Sequence, residues 1–167
     1  MFVHILPVTA PIGVAFFRAA VTETLEQRKL KEEAELFGLR RDIDYVSRLL
    51  FHSALFGFEH RFGMWGGGAL KGSEIEEIAG RLAEGAIDDS RSQEVADQLL
   101  LRFGLFPKRI PQIEVLRLEL CGGELYRKAS RAQSSLARQD LESMAGNFIP
   151  WTDVLQDMQR RERLIIH

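Results

Sequence analysis

Apolar positions along this chain recur mostly at the three-to-four-residue spacing of a helix. Val14, Phe17, Val21 and Leu25 stand at i, i+3, i+7 and i+11 and form one apolar stripe. The stripe predicts a helix that starts near Pro11, with proline in its first turn, and stops at Gly38. Its second half is densely charged and is expected to be solvated. A second helix is predicted from a cap at Asp42 to Phe62. It is apolar around most of its circumference, with Ile43, Val46, Leu49, Leu50, Phe51, Leu55 and Phe56 spread over its faces. A helix of that kind belongs at the centre of a fold. Phe51, Ala54 and Phe58, at i, i+3 and i+7, are expected to face the core.

Shorter amphipathic segments follow. SEIEEIAGRLAEGA opens with Ser73 and Glu76 in the S-x-x-E pattern of a capping box. SQEVADQLLLRFG is expected to end at Gly104, and LFPKRIP, with two prolines, to be a rigid connector. Residues 111 to 145 carry one long helical pattern interrupted by Gly122-Gly123. Small residues let a neighbouring backbone come close, which is the favoured reason for the pair; a break into two helices is the alternative. Gly146-Asn147 ends the pattern and Pro150 opens a last helix. Strand character is confined to the ends, FVHILPV and LIIH. Those ends are expected to pair with each other or with another chain.

The pattern as a whole predicts a mainly α fold: a single helical domain over 1–167, a bundle of five or six helices with short extended, strand-like ends. Residues 1–10 form an extended arm in this reading, and 63–72 a glycine-rich hinge or loop. At 167 residues the chain can bury a sizeable core. Eleven phenylalanines against two tyrosines and two tryptophans favour buried rings, because Phe has no polar handle to satisfy.

The net charge of −2 gives no general drive toward nucleic acid or acidic membranes. It divides unevenly: residues 1–106 hold 12 Lys+Arg against 16 Asp+Glu, and residues 107–167 hold 10 against 8. One cysteine, Cys121, leaves no internal disulfide and points to a reducing, cytoplasmic setting. No apolar run reaches the roughly 18 residues of a membrane span. The apolar start lacks a basic n-region, which argues against a signal peptide.

Candidate chemistry is sparse. GGALKGS, at 67–73, resembles a phosphate loop only in composition. Its lysine precedes the glycine instead of following it, a helix and not a strand lies upstream, and Glu74, Glu76 and Glu77 would repel a phosphate. His52, Glu59 and His60 do not make a metal site. His52 and Glu59 are two turns, about 10 Å, apart, and His60 points about 80° away from His52. These residues read instead as part of a polar stripe, Arg41, Tyr45, Arg48, His52 and Glu59, that faces solvent or a charged partner. Cys121 sits among leucines, as an inert thiol does. No catalytic residue, cofactor, metal site or small-molecule ligand is identified.

Two features point to partners. Phe62, Met64 and Trp65 place large apolar side chains beside the glycine loop, where they are offered to a partner or tucked into the core. Arg127, Arg131 and Arg138 fall within about 40° of one another on a continuous helix. The function these features predict is that of a non-enzymatic helical interaction protein: a subunit, adaptor or chaperone bound to a protein partner or to its own copies. A subunit that contacts nucleic acid through the arginines is the alternative, and an enzyme with a scattered site the third reading.

Overall fold

The computed structural model describes residues 10–28, 33–61, 72–105 and 112–162. They fold into seven helices: α1 (Ala10–Gln27), α2 (Glu33–Arg61), α3 (Gly72–Ala83), α4 (Asp89–Leu105), α5 (Gln112–Arg131), α6 (Ser135–Gly146) and α7 (Phe148–Glu162). The mainly α architecture is as the periodicity predicts, with more helices than five or six. Among the described residues there is no strand, and no helix is long and apolar enough to cross a membrane. The strand-like ends, at 1–9 and 163–167, lie outside the described residues, as does most of the glycine-rich segment.

Several boundaries differ from the expected ones. α2 begins at Glu33 and runs through Gly38 and Asp42. Gly38 is not a stop and Asp42 is not a cap, because the Asp42 carboxylate is engaged elsewhere. It is buried and accepts hydrogen bonds from Asn147 Nδ2 (2.9 Å) and Trp151 Nε1 (3.0 Å). Those partners, over a hundred residues away, join α2 to the α6–α7 corner and outweigh the local cap preference. The long pattern from 111 to 145 divides at residues 132–134, not at Gly122-Gly123. Gln133 N–H bonds to Ser130 O as α5 tightens, and Ser134 takes extended backbone angles ahead of α6. Adjacent serines favour such a site because their hydroxyls compete with helical bonding.

α4 likewise runs through Gly104 instead of stopping there. This glycine is a point of close approach. A Cβ on Gly104 would lie 2.6 Å from Leu155 Cβ of α7, and one on Gly122 would lie 2.2 Å from the Phe148 ring. The close backbone approach expected of the pair is at Gly123, where a Cβ would lie 3.1 Å from Ala145 O, whereas Gly122 makes room for a ring. A left-handed glycine is a common helix stop, and Gly85 supplies one after α3, with φ 67°. There Ala86 N–H bonds to Arg81 O and Gly85 N–H to Leu82 O, the paired bonds of a Schellman turn. Gly104→Val should destabilise the fold by about 1–3 kcal/mol through overpacking against α7, read as a lower urea midpoint. An unchanged midpoint would mean that α4 and α7 can separate freely.

The centre of the molecule is α4, not α2. Every residue from Val95 to Leu105 is buried, and α4 packs on both α5 and α7. α5 also meets α3 and α6, while α2 packs mainly on α1 and more lightly on α6. Asp97, Gln98 and Arg102 make α4 look amphipathic, so its central position is hidden in the sequence. Arg102 is only 1% exposed yet lies against Glu74 of α3, with nitrogen–oxygen distances of 3.1–3.3 Å. Phe51 of α2 is buried and Ala54 packs against the core; the Phe58 side chain lies outside the described ones.

Candidate functional site

Two surfaces carry the chemistry of this fold. The first is a cleft of about 380 Å³ where α2, α4 and α6 converge beside the α5–α6 turn. The helical period of α2 brings Tyr45, Arg48 and His52 (i, i+3, i+7) onto one side. α4 contributes Gln93 and Asp97, and the turn contributes Gln133. α6 adds Asp140, with Leu49 of α2 and Ala137 and Leu141 of α6 making an aliphatic wall. The polar stripe of α2 thus faces a cleft and not open solvent alone. Arg41, at its upper end, donates to Gln139 of α6. The Glu59 and His60 side chains lie outside the described ones.

The cleft has a buried carboxylate in its lining. Asp97 Oδ1 accepts hydrogen bonds from Tyr45 Oη (2.6 Å) and Tyr126 Oη (2.8 Å), and Gln93 Nε2 donates to Tyr45 Oη (3.0 Å). The tyrosine rings meet edge to face at 6.1 Å. Burial pushes both phenols well above their ordinary pKa, and the Asp97 charge adds to the shift. Both therefore remain protonated donors at neutral pH. Two phenol donors on one oxygen stabilise a carboxylate inside the protein, where a bare charge would be costly.

Arg48 and Asp140 behave differently. Arg48 reaches only the Asp44 carbonyl, at 3.4 Å. Among the described residues neither Arg48 nor Asp140 has an ionic partner, although both line the same cleft. Elsewhere arginines are commonly paired, as Arg18 is with Asp44 and Arg28 with Asp157.

The second surface is the outward face of α5. Leu116 and Leu120 are 60% and 65% exposed, unusually open for large apolar side chains. Glu124, Arg127 and Arg131 continue the same face, the five residues spanning about 80° of arc and roughly 22 Å of axis. Arg127 pairs with Glu124 at 3.3 Å, and Arg131 stands 4.0 Å from the same carboxylate. Arg138 does not share this helix: it lies on α6, beyond the turn, and pairs with Glu142 at 2.9 Å. The single stripe of three arginines is therefore corrected to two on α5 and one on α6.

Cys121 is buried, and burial pushes its thiol up despite the opposing charge of Arg117. Among the described residues no three His, Cys, Asp or Glu side chains gather as a metal site. Phe62, Met64 and Trp65 lie outside the described residues.

Sequence reasoning found one wall of the cleft, the α2 stripe, and missed Gln93, Asp97, Gln133 and Asp140. A signal existed for Asp97: an acid just ahead of the apolar run LLLRF must find donors when it is buried. No protein-family model matches this chain, and no curated protein or solved structure is similar enough to match it.

Proposed function

We propose that this chain is a non-enzymatic interaction protein, a cytoplasmic subunit, adaptor or chaperone that docks an apolar and acidic segment of a partner protein along the outward face of α5. The observation that carries this reading is the alignment of exposed Leu116 and Leu120 with Arg127 and Arg131. Apolar contact near one end and positive charge near the other suit a helix or extended segment with leucine-like anchors followed by carboxylates. Nucleic acid is a poorer fit. A phosphate backbone gains nothing from two open leucines, and the net charge of −2 gives no general pull toward it. Self-pairing through this face is also disfavoured. Antiparallel copies would set leucines against arginines, and parallel copies would set arginine against arginine.

The test is co-purification from the native source, comparing the wild-type protein with Leu116→Ser/Leu120→Ser and Arg127→Gln/Arg131→Gln. Both variants change exposed positions and should keep their melting temperature. The leucine variant should lose the bound partner, and the arginine variant should release it at lower salt. A partner held equally by all three proteins would overturn the reading. So would oligonucleotide binding whose log–log salt slope falls by about 0.9 for each arginine removed; that outcome would promote the nucleic-acid alternative.

A further inference from the structure

We infer that the cleft between α2, α4 and α6 binds a small zwitterion of the amino-acid class, its carboxylate toward Arg48 and its ammonium group toward Asp140. This inference is independent of the α5 face. It starts from the two charges in the cleft that lack ionic partners among the described residues, one of each sign. A free arginine alone would suit any anion, and a free carboxylate alone any cation. The two together, held on different helices around one volume, select a molecule that carries both charges. They form no ion pair with each other, and both border the cleft volume.

The remaining lining refines the class. His52 stands one turn beyond Arg48 on α2, placing a second nitrogen-bearing side chain on the carboxylate side. Asp97 lies among the lining residues with its negative charge locked by the two tyrosines, which adds negative potential for an ammonium group. The amides of Gln93 and Gln133 supply neutral polar contacts at the edges, and Leu49, Ala137 and Leu141 offer an aliphatic wall. A volume of about 380 Å³ lies near the small end of ligand sites, which run roughly 300–1,000 Å³. It suits a single amino acid with an aliphatic side chain better than a nucleotide or a peptide of several residues. The site is also rigid on one side, because Tyr45 is fixed by both Asp97 and Gln93.

The experiment uses the full chain and named probes. The standard amino acids are titrated one at a time by calorimetry, up to about 10 mM, to capture millimolar affinities. 4-Methylpentanoate and 3-methylbutylamine serve as half-ligands that keep the aliphatic part of leucine with only the carboxylate or only the ammonium group. At least one aliphatic amino acid, with leucine the first candidate, should bind roughly tenfold or more tightly than either half-ligand. Arg48→Gln and Asp140→Asn should each weaken that binding roughly tenfold with the melting temperature unchanged. Absence of binding by every amino acid would overturn the inference. Equal binding of a half-ligand would also overturn it, as would affinity indifferent to both substitutions. Should either variant fail to fold, the comparison of whole and half ligands on the wild-type protein decides the matter by itself. The α5 variants serve as controls and should bind the same amino acid as the wild-type protein does.

Discussion

Glu74→Ala is expected to destabilise the protein by about 3–5 kcal/mol, because it removes the carboxylate that pairs with the buried guanidinium of Arg102. The Arg102 side chain is 2% exposed and donates to both carboxylate oxygens of Glu74. A buried ion pair contributes little net stability over a well-packed apolar pair, since desolvation offsets most of the attraction. Removing one partner is another matter: the remaining charge keeps its desolvation cost and loses the part of its compensation that this carboxylate supplied. Arg102→Met should therefore cost less than Glu74→Ala, and the double variant should be more stable than Glu74→Ala alone. Urea unfolding of the four proteins, with unchanged m values, reads the cycle. A loss under about 1 kcal/mol for Glu74→Ala would mean that the guanidinium does not depend on this carboxylate.

The same pair shows why the centre of the fold was hidden from the sequence. Pattern reading scores a helix by how much of its circumference is apolar, and by that measure α2 outranks α4. What makes α4 central is that its polar residues are answered from a distance. Glu74 lies twenty-eight residues before Arg102, and Tyr45 and Tyr126 lie fifty-two and twenty-nine residues from Asp97. No local period carries that information. Glycine was ambiguous for a similar reason. Gly38, Gly104 and Gly122 are alike as letters, yet none of them makes the left-handed turn that Gly85 makes after α3, while Gly104 and Gly122 are set by a partner helix pressing close. The helical class and one wall of the cleft were legible because they depend on spacing within a single helix. The opposite wall was not, because Asp140 and Gln133 reach the cleft only after α5 turns back into α6. The arginine stripe failed at that same turn: it presumed one helix across residues 132–134.

Asp97 is the site of the second large effect. Asp97→Ala leaves two phenol donors without their common acceptor, one of them on a ring with no exposed surface. Each buried, unsatisfied polar group costs about 1–3 kcal/mol, so a loss of roughly 2–5 kcal/mol is expected. Asp97→Asn should be milder, since the amide oxygen can still accept both bonds. The tyrosines add a pH signature with a definite sign. Both phenols titrate above their unfolded value of about 10. The folded state thus holds protons that the unfolded state has released, and stability falls as pH rises from about 10 through the folded values. The slope approaches about 1.4 kcal/mol per pH unit for each phenol. Below that window the two groups contribute no pH dependence. Tyr45→Phe/Tyr126→Phe should be less stable than the wild-type protein at pH 8 and should lose less on going to high pH, so the two stability curves converge. Parallel curves across the alkaline range would show that the phenols titrate as freely in the folded protein as in the unfolded chain, and the Asp97 network would then hold no proton in place.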